Sequence, residues 1–313
     1  MLNSNDIPNA GNRGTPSDFA GLWLPLITPF REGAVDHPAL TRLVRHYGTT
    51  GVAGFVVCGS TGEAAALDEA EQLAVLGTVL EAGGELPVVM GLSHYNLPQT
   101  LAWVEILASY PLAGLLVPAP HYIRPSQAGL LHWFTAIADT ARAPLIIYDI
   151  PYRTGSVIER DTLLALGQHT NIRAVKDCGG DPGKTQALIA DGHLQVLAGD
   201  DAQIFATVAL GGTGAIAACA HLETHGFVDV IRLLAAGRLA DARAAWAPLP
   251  PVIAAMTAEP NPASIKAALA HQGWIKNELR APMMVAKLPP YMVSSAVLRS
   301  DEAQALQPSL SGA

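Results

Sequence analysis

A lysine closes one of the apolar runs of this chain. The chain has five lysines, and Lys176 is the last residue of Ala174-Val175-Lys176. Lysine is almost never buried without a partner or a task. A desolvated ammonium gives up its proton readily, and the neutral amine is a nucleophile for carbonyl carbon. The apolar run before it, Leu145 to Tyr148, closes in the same way on a phenol. A tyrosine there can carry protons to and from a carbinolamine. Each residue also has an ordinary reading: Lys176 turned to solvent or paired with Asp177, and Tyr148 a core tyrosine with a bonded hydroxyl. Adjacent strands would put both side chains over one pocket, which favours the chemical reading.

The turn Gly59-Ser60-Thr61-Gly62 is the third signal. Its amides and hydroxyls can hold an anion such as a carboxylate, although a tight strand-to-helix turn has the same composition. No Gly-Lys-Ser/Thr follows, so it is not a phosphate-binding loop. Gly212-Thr213-Gly214 imitates part of a dinucleotide fingerprint but enters a strand instead of leaving one. The ten histidines show no metal-binding spacing, so no metal site is expected. Cys58, Cys178 and Cys219 fall near strand ends and read as reduced, packed thiols before nucleophiles.

These groups need a scaffold, and the chain alternates with regularity. Eight short apolar runs read as strands: Leu22 to Ile27, Gly54 to Val57, Pro87 to Met90, Gly114 to Val117, Leu145 to Tyr148, Arg173 to Lys176, Gln195 to Ala198, and Gly214 to Ala217. None alternates apolar with polar, so each is expected to be buried on both faces of a parallel sheet. Ala- and Leu-rich helical stretches lie between them, with Asp36, Ser126 and Asp200 as candidate N-caps. Eight such units in about 200 residues point to an α/β fold, a (β/α)8 TIM barrel, in preference to an open sheet. The expected organisation is a leader over 1–18, a catalytic barrel over 19–224 and a wholly helical C-terminal extension over 225–313. In a barrel the chemistry sits at the C-terminal ends of the strands, where Lys176, Tyr148 and the Gly59 turn all fall.

Composition bounds the rest. Of the 313 residues, 50% are hydrophobic and 15% charged, which excludes a mainly disordered chain. Mean hydropathy is +0.27, yet no apolar run reaches the length of a membrane span. A large interior or an oligomer interface accounts for the hydropathy. The net charge of −8 and the lack of a basic block argue against nucleic acid. Three cysteines make no disulfide framework, and the first residues lack a secretory core. The chain reads as cytoplasmic.

Taken together, Gly59-Ser60-Thr61-Gly62-Glu63, the Tyr122 to Ser126 stretch, Tyr148 to Gly155, Val175-Lys176-Asp177, Gly199-Asp200-Asp201 and Glu259-Pro260-Asn261-Pro262 resemble the dihydrodipicolinate synthase / N-acetylneuraminate lyase family. The motifs run in order from about Gly21 to about Leu298. The resemblance implies a lyase of the class I aldolase type with no cofactor, in which Lys176 forms a Schiff base with pyruvate or another 2-keto acid. It implies that Tyr148 shuttles protons and that Ser60 and Thr61 hold the pyruvate carboxylate, with Ser60 relaying to Tyr148. Tyr122 would complete the relay from a neighbouring subunit, making a homo-oligomer, dimer or tetramer. Arg153 would hold the carboxylate of an acidic aldehyde, the main-chain carbonyl of Ile216 would face Lys176, and Gly59 and Gly199 would shape the substrate site. The small-molecule partners would be a keto acid and an aldehyde.

The chain departs from the family pattern at Ser60, His121, Asp149, and Asp177-Cys178, where Thr, Tyr, Asn, and Glu-Ala are common. The first function implied is condensation of pyruvate with aspartate semialdehyde, favoured by Arg153. The second is a 2-keto-acid aldolase or dehydratase acting on a sugar acid or other aldehyde, favoured by Ser60, His121 and Asp149. A third is a silent homologue that only binds a keto acid, against which stand Lys176, Tyr148 and Tyr122.

Overall fold

The structure, a computed structural model, describes residues 18–287. The segments 1–17 and 288–313 lie outside the described residues, and with them most of the expected leader and the helix expected over Tyr291 to Leu306.

Eight parallel strands close into a barrel: β1 (Gly21–Pro25), β2 (Gly54–Val57), β3 (Val88–Gly91), β4 (Gly114–Pro118), β5 (Leu145–Asp149), β6 (Ile172–Asp177), β7 (Gln195–Ala198) and β8 (Gly214–Ile216). Each pairs with its sequence neighbour, and β8 returns to β1 through Leu22↔Ala215 and Trp23↔Ile216. The expected (β/α)8 barrel is therefore the observed fold. A small hairpin, Phe30–Arg31 with Ala34–Val35, follows β1 and has no counterpart in the sequence reading.

The strand period of two sorts the apolar residues into two cores. Trp23, Val56, Val89, Leu116, Ile146, Ala174, Leu197 and Ile216 point into the barrel. Their neighbours, among them Phe55, Met90, Val117, Ile147, Val175 and Val196, point outward against the helices. Both faces of every strand are dry, which is why the runs do not alternate. Each fully buried Val, Leu or Ile stabilises this arrangement by about 1.5–3 kcal/mol.

The helices are α1 (His37–Tyr47), α2 (Glu69–Ala82), α3 (Leu97–Leu107), α4 (Gln127–Thr140), α5 (Arg160–Leu166), α6 (Pro182–Asp191), α7 (Ile204–Ala209) and α8 (Thr224–Ala235). A four-residue helix, Pro151–Thr154, sits between β5 and α5. Asp36 caps α1 by accepting from the Ala39 amide, and Ser126 caps α4 by accepting from Gly129. Asp200 accepts from Ala202 at the 3₁₀ turn before α7. Asp68 and Glu71 form a reciprocal capping box on α2.

Helix α8 packs on β1 and α7 and is the eighth outer helix of the barrel. Three more helices follow: α9 (Leu239–Trp246), α10 (Leu249–Met256) and α11 (Ala263–His271). The extension is not wholly helical, however. Gly273 turns the chain out of α11 with φ +81°, and residues 275–287 run without helix. Arg280 fastens this strap to the barrel. Its guanidinium donates to Ala66 O at 2.7 Å and Gly33 O at 2.8 Å, and it grips both carboxylate oxygens of Glu71. A fork of five donors spends itself on several acceptors at once, which takes the place of the hydrogen bonds a helix would have made.

Candidate active site

The pairing of β5 with β6 sets Tyr148 directly beside Lys176. Tyr148 stands two residues beyond Ile146, and Lys176 two beyond Ala174, so both side chains emerge on the barrel interior above that apolar layer. Lys176 is 5% exposed and Tyr148 7%. The Lys176 Nζ lies 4.3 Å from the centroid of the Tyr148 ring. Burial pushes the Lys176 pKa down, opposed by the charge of Asp201. Burial pushes the Tyr148 hydroxyl up, so the phenol stays protonated. The lysine is thus biased toward free amine, and the tyrosine toward its neutral acid.

The turn after β2 meets this pair. Ser60 Oγ is 3.4 Å from the Tyr148 hydroxyl. The Gly62 and Glu63 amides close the turn on the carbonyls of Gly59 and Ser60. The Ser60 and Thr61 amides have no protein acceptor among the described residues. Thr28, just beyond β1, anchors the turn by donating to Gly62 O at 2.7 Å. Glu63 adopts φ 54°, a left-handed conformation that a non-glycine residue takes at a cost. Its buried carboxylate is paired with Lys266 of α11.

The cavity over Lys176 has a volume of about 500 Å³. Thr61, Tyr148, Lys176, Gly199 and Ile216 of the expected set line it. Gly199 is there for space. A Cβ at that position would lie 2.8 Å from Lys176 Cγ and press on Cys178 Sγ, so only glycine lets the lysine stem pass. Tyr152, Cys178, Asp200 and Asp201 also line the cavity, and the C-terminal region adds Met256 and Ile265 from α10 and α11 and Thr257 and Asn261 from the loop between them. Asp201 is buried and accepts from the Cys219 amide at 2.9 Å. Desolvation raises its pKa to about 6. Cys178 is a free thiol that burial pushes up to about 12.

Two expected residues stand outside this cluster. Arg153 is exposed on the short helix after β5, with its guanidinium 5.7 Å from the Tyr152 ring centroid. Tyr122 is 88% exposed with φ 75°, presented outward instead of toward the Lys176 of its own chain. Among the described residues no group of three His, Cys, Asp or Glu side chains is placed to hold a metal ion, and no helix is long and apolar enough to cross a membrane.

The departures at Asp149 and Asp177 form one buried cluster behind the catalytic pair. Both follow their neighbours by one residue, so they point outward, toward α6. Lys184 of α6 pairs with Asp149 and donates to Ile158 O at 3.2 Å. Asp177 accepts from the Gly179 amide at 2.8 Å and from the Thr185 hydroxyl. Burial raises the Asp149 pKa, against the pull of Lys184. Neither the Lys184 partnership nor the contact of Asn261 with Thr61, described below, was marked by a sequence pattern. Asn261 was visible only as part of the Glu259-Pro260-Asn261-Pro262 motif.

Comparison with known proteins agrees with this geometry. A sequence profile described as the Dihydrodipicolinate synthetase family matches residues 18–297. The 4-hydroxy-tetrahydrodipicolinate synthase 2 of Clostridium acetobutylicum is 36% identical over 268 residues, 84% of this chain and 94% of its own. The crystal structure of dihydrodipicolinate synthase from Aquifex aeolicus matches with a TM-score of 0.85 at 28% identity, over 91% of this chain and 99% of that one. A structure described as the first monomeric dihydrodipicolinate synthase variant matches with a TM-score of 0.86 at 27% identity, over 93% and 99%. The chain belongs to the dihydrodipicolinate synthetase family.

Proposed function

We propose that the protein is a pyruvate-dependent lyase that condenses pyruvate with L-aspartate 4-semialdehyde to 4-hydroxy-tetrahydrodipicolinate. The observation that carries this reading is a buried lysine with a depressed pKa, stacked on a neutral tyrosine in a cavity of substrate size. The name of the Clostridium relative supports the choice of substrates.

The free amine of Lys176 attacks C2 of pyruvate. The resulting carbinolamine loses water as Tyr148 delivers a proton to the departing hydroxyl, leaving an imine. Loss of a C3 proton converts the imine to an enamine, whose C3 attacks the aldehyde carbon. The alkoxide takes up a proton, and attack on the imine carbon by the amino group of the condensed semialdehyde closes the ring and frees Lys176. Ser60 extends the proton path from Tyr148, and the Gly59 to Thr61 turn receives the pyruvate carboxylate. No resident cofactor enters this chemistry, since the covalent electron sink is formed on the chain's own lysine.

The relay is completed by Tyr122 of a neighbouring subunit in a homodimer or tetramer. Tyr122, Ile123, Tyr152 and Val157 are exposed, and apolar groups of this kind suit a buried interface. The acidic balance and three free thiols suit a reducing cytoplasm.

A second reading, a 2-keto-acid aldolase or dehydratase for a sugar acid, is favoured by one observation. Asp200 and Asp201 line the cavity, and carboxylates accept hydrogen bonds from hydroxyl groups. Turnover assays with pyruvate and a panel of aldehydes decide between the two. Preference for aspartate semialdehyde supports the first, and preference for a polyhydroxylated aldehyde replaces it with the second.

A further inference from the structure

The turn that meets Lys176 is braced by the C-terminal region. Lys266 of α11 is fully buried against Glu63, two residues beyond Thr61. The strap adds the Arg280 amide, which donates to the other oxygen of Glu63 at 3.3 Å. A third contact reaches the turn itself. Asn261 Nδ2 donates to Thr61 Oγ1 at 3.0 Å, across 200 residues of sequence. Both residues line the cavity.

The polarity of that bond matters. A threonine hydroxyl has one proton and two lone pairs. With one lone pair taken by Asn261, a second lone pair and the proton remain, and of these only the proton suits an anion. Thr61 is 2% exposed, and its hydroxyl donates to no acceptor among the described residues. The cavity is where that proton can be spent. Asn261 Oδ1 is buried without a partner among the described residues, so within them the amide is held by the single bond it gives to Thr61 and by packing. Leaving a buried acceptor unmade has a cost, and a site tolerates it where the orientation is needed.

We propose that Asn261 is a positioning residue that orients the Thr61 hydroxyl as a donor toward an anionic group on the substrate. The C-terminal region thereby sets the polarity of the carboxylate subsite. This inference deepens the proposed function and rests on it, because it takes the anion to be the pyruvate carboxylate.

Asn261→Asp tests it with almost no change in shape. A carboxylate cannot donate, so the Thr61 proton would turn away from the cavity and toward the new carboxylate. The half-saturating pyruvate concentration for borohydride trapping should rise by about tenfold or more, the loss of one hydrogen bond to a charged group. Asn261→Ala should raise it by a smaller factor. The trapping rate at saturating pyruvate should change little in Asn261→Ala, a split that general destabilisation does not produce. In a Thr61→Val background Asn261→Ala should have no further effect, because the hydroxyl it acts through is gone, whereas Asn261→Asp keeps only the repulsion its charge adds. Half-saturation does not depend on how much of a preparation is folded, so partial misfolding leaves the comparison intact. Unchanged half-saturation in Asn261→Ala, or an Asn261→Ala effect that adds fully to Thr61→Val, would overturn the inference while the wild-type adduct still supports the proposed function. A wild-type chain that forms no pyruvate adduct would overturn both.

Discussion

The ammonium-bearing end of Lys176 lies over the ring of Tyr148, 4.3 Å from its centroid. The two residues are register partners on adjacent strands. A ring face attracts a cation, so under the proposed mechanism Tyr148 would have two uses: its ring steadies whatever charge Lys176 carries, and its hydroxyl handles protons at the carbon that Lys176 attacks. Replacing the hydroxyl alone separates these uses. Tyr148→Phe should keep pyruvate binding and slow turnover by about 10²–10⁴-fold, the usual range for a lost general acid–base. Steady-state kinetics with pyruvate saturation measured separately checks it, and near-normal turnover would remove Tyr148 from the proton path.

The pH dependence of imine formation should report the charge beside the lysine. Attack needs the free amine, so the rate should climb with pH through the depressed Lys176 pKa and level off above it. Asp201 holds the proton on Lys176 by its negative charge. Asp201→Asn should therefore move this limb to lower pH. The difference should fade below pH about 6, where the native Asp201 is itself neutral. A limb displaced upward in pH–rate profiles of trapping would contradict this arrangement.

Arg153 tests the second substrate. It is exposed beside Tyr152, which lines the cavity, and is reachable by an incoming acid. Arg153→Ala should lower kcat/KM for an acidic aldehyde by about tenfold or more, the loss of a charge-assisted pair. Pyruvate saturation should stay the same. Equal damage to both substrates would place Arg153 elsewhere in the mechanism.

Behind the catalytic pair, Lys184 and Asp149 are both nearly inaccessible. Removing one partner of such a pair strands the other charge. Lys184→Met should lower the unfolding free energy by about 3–5 kcal/mol. Adding Asp149→Asn, which restores the residue common in the family, should recover most of that loss. Denaturant melts of the two variants check this, and a double variant no better than the single would mean that Lys184 acts through packing alone.

The parts of this account that the sequence made legible share a cause. Lys176 and Tyr148 could be read because strand period and strand ends are local signals, and two polar residues closing apolar runs break that pattern visibly. The barrel followed from eight dry runs for the same reason. The Asn261 contact with Thr61 could not be read, since nothing local in Pro260-Asn261-Pro262 says which turn it will meet. The pairing of Lys184 with Asp149 was hidden because Lys184 sits in the first turn of an ordinary helix. Residues 275–287 run without helix inside an extension read as wholly helical, because Gly273 turns the chain out of α11 and Arg280 ties the segment to acceptors on the barrel.

Under the proposed mechanism Lys176 is the covalent nucleophile. Incubation with pyruvate and borohydride, followed by peptide mass analysis, locates the covalent bond. One reduced pyruvyl adduct per chain is expected, on Lys176, and Lys176→Ala should lose both the adduct and all turnover. An adduct on Lys184 or Lys266, or turnover with no adduct at all, would contradict that mechanism.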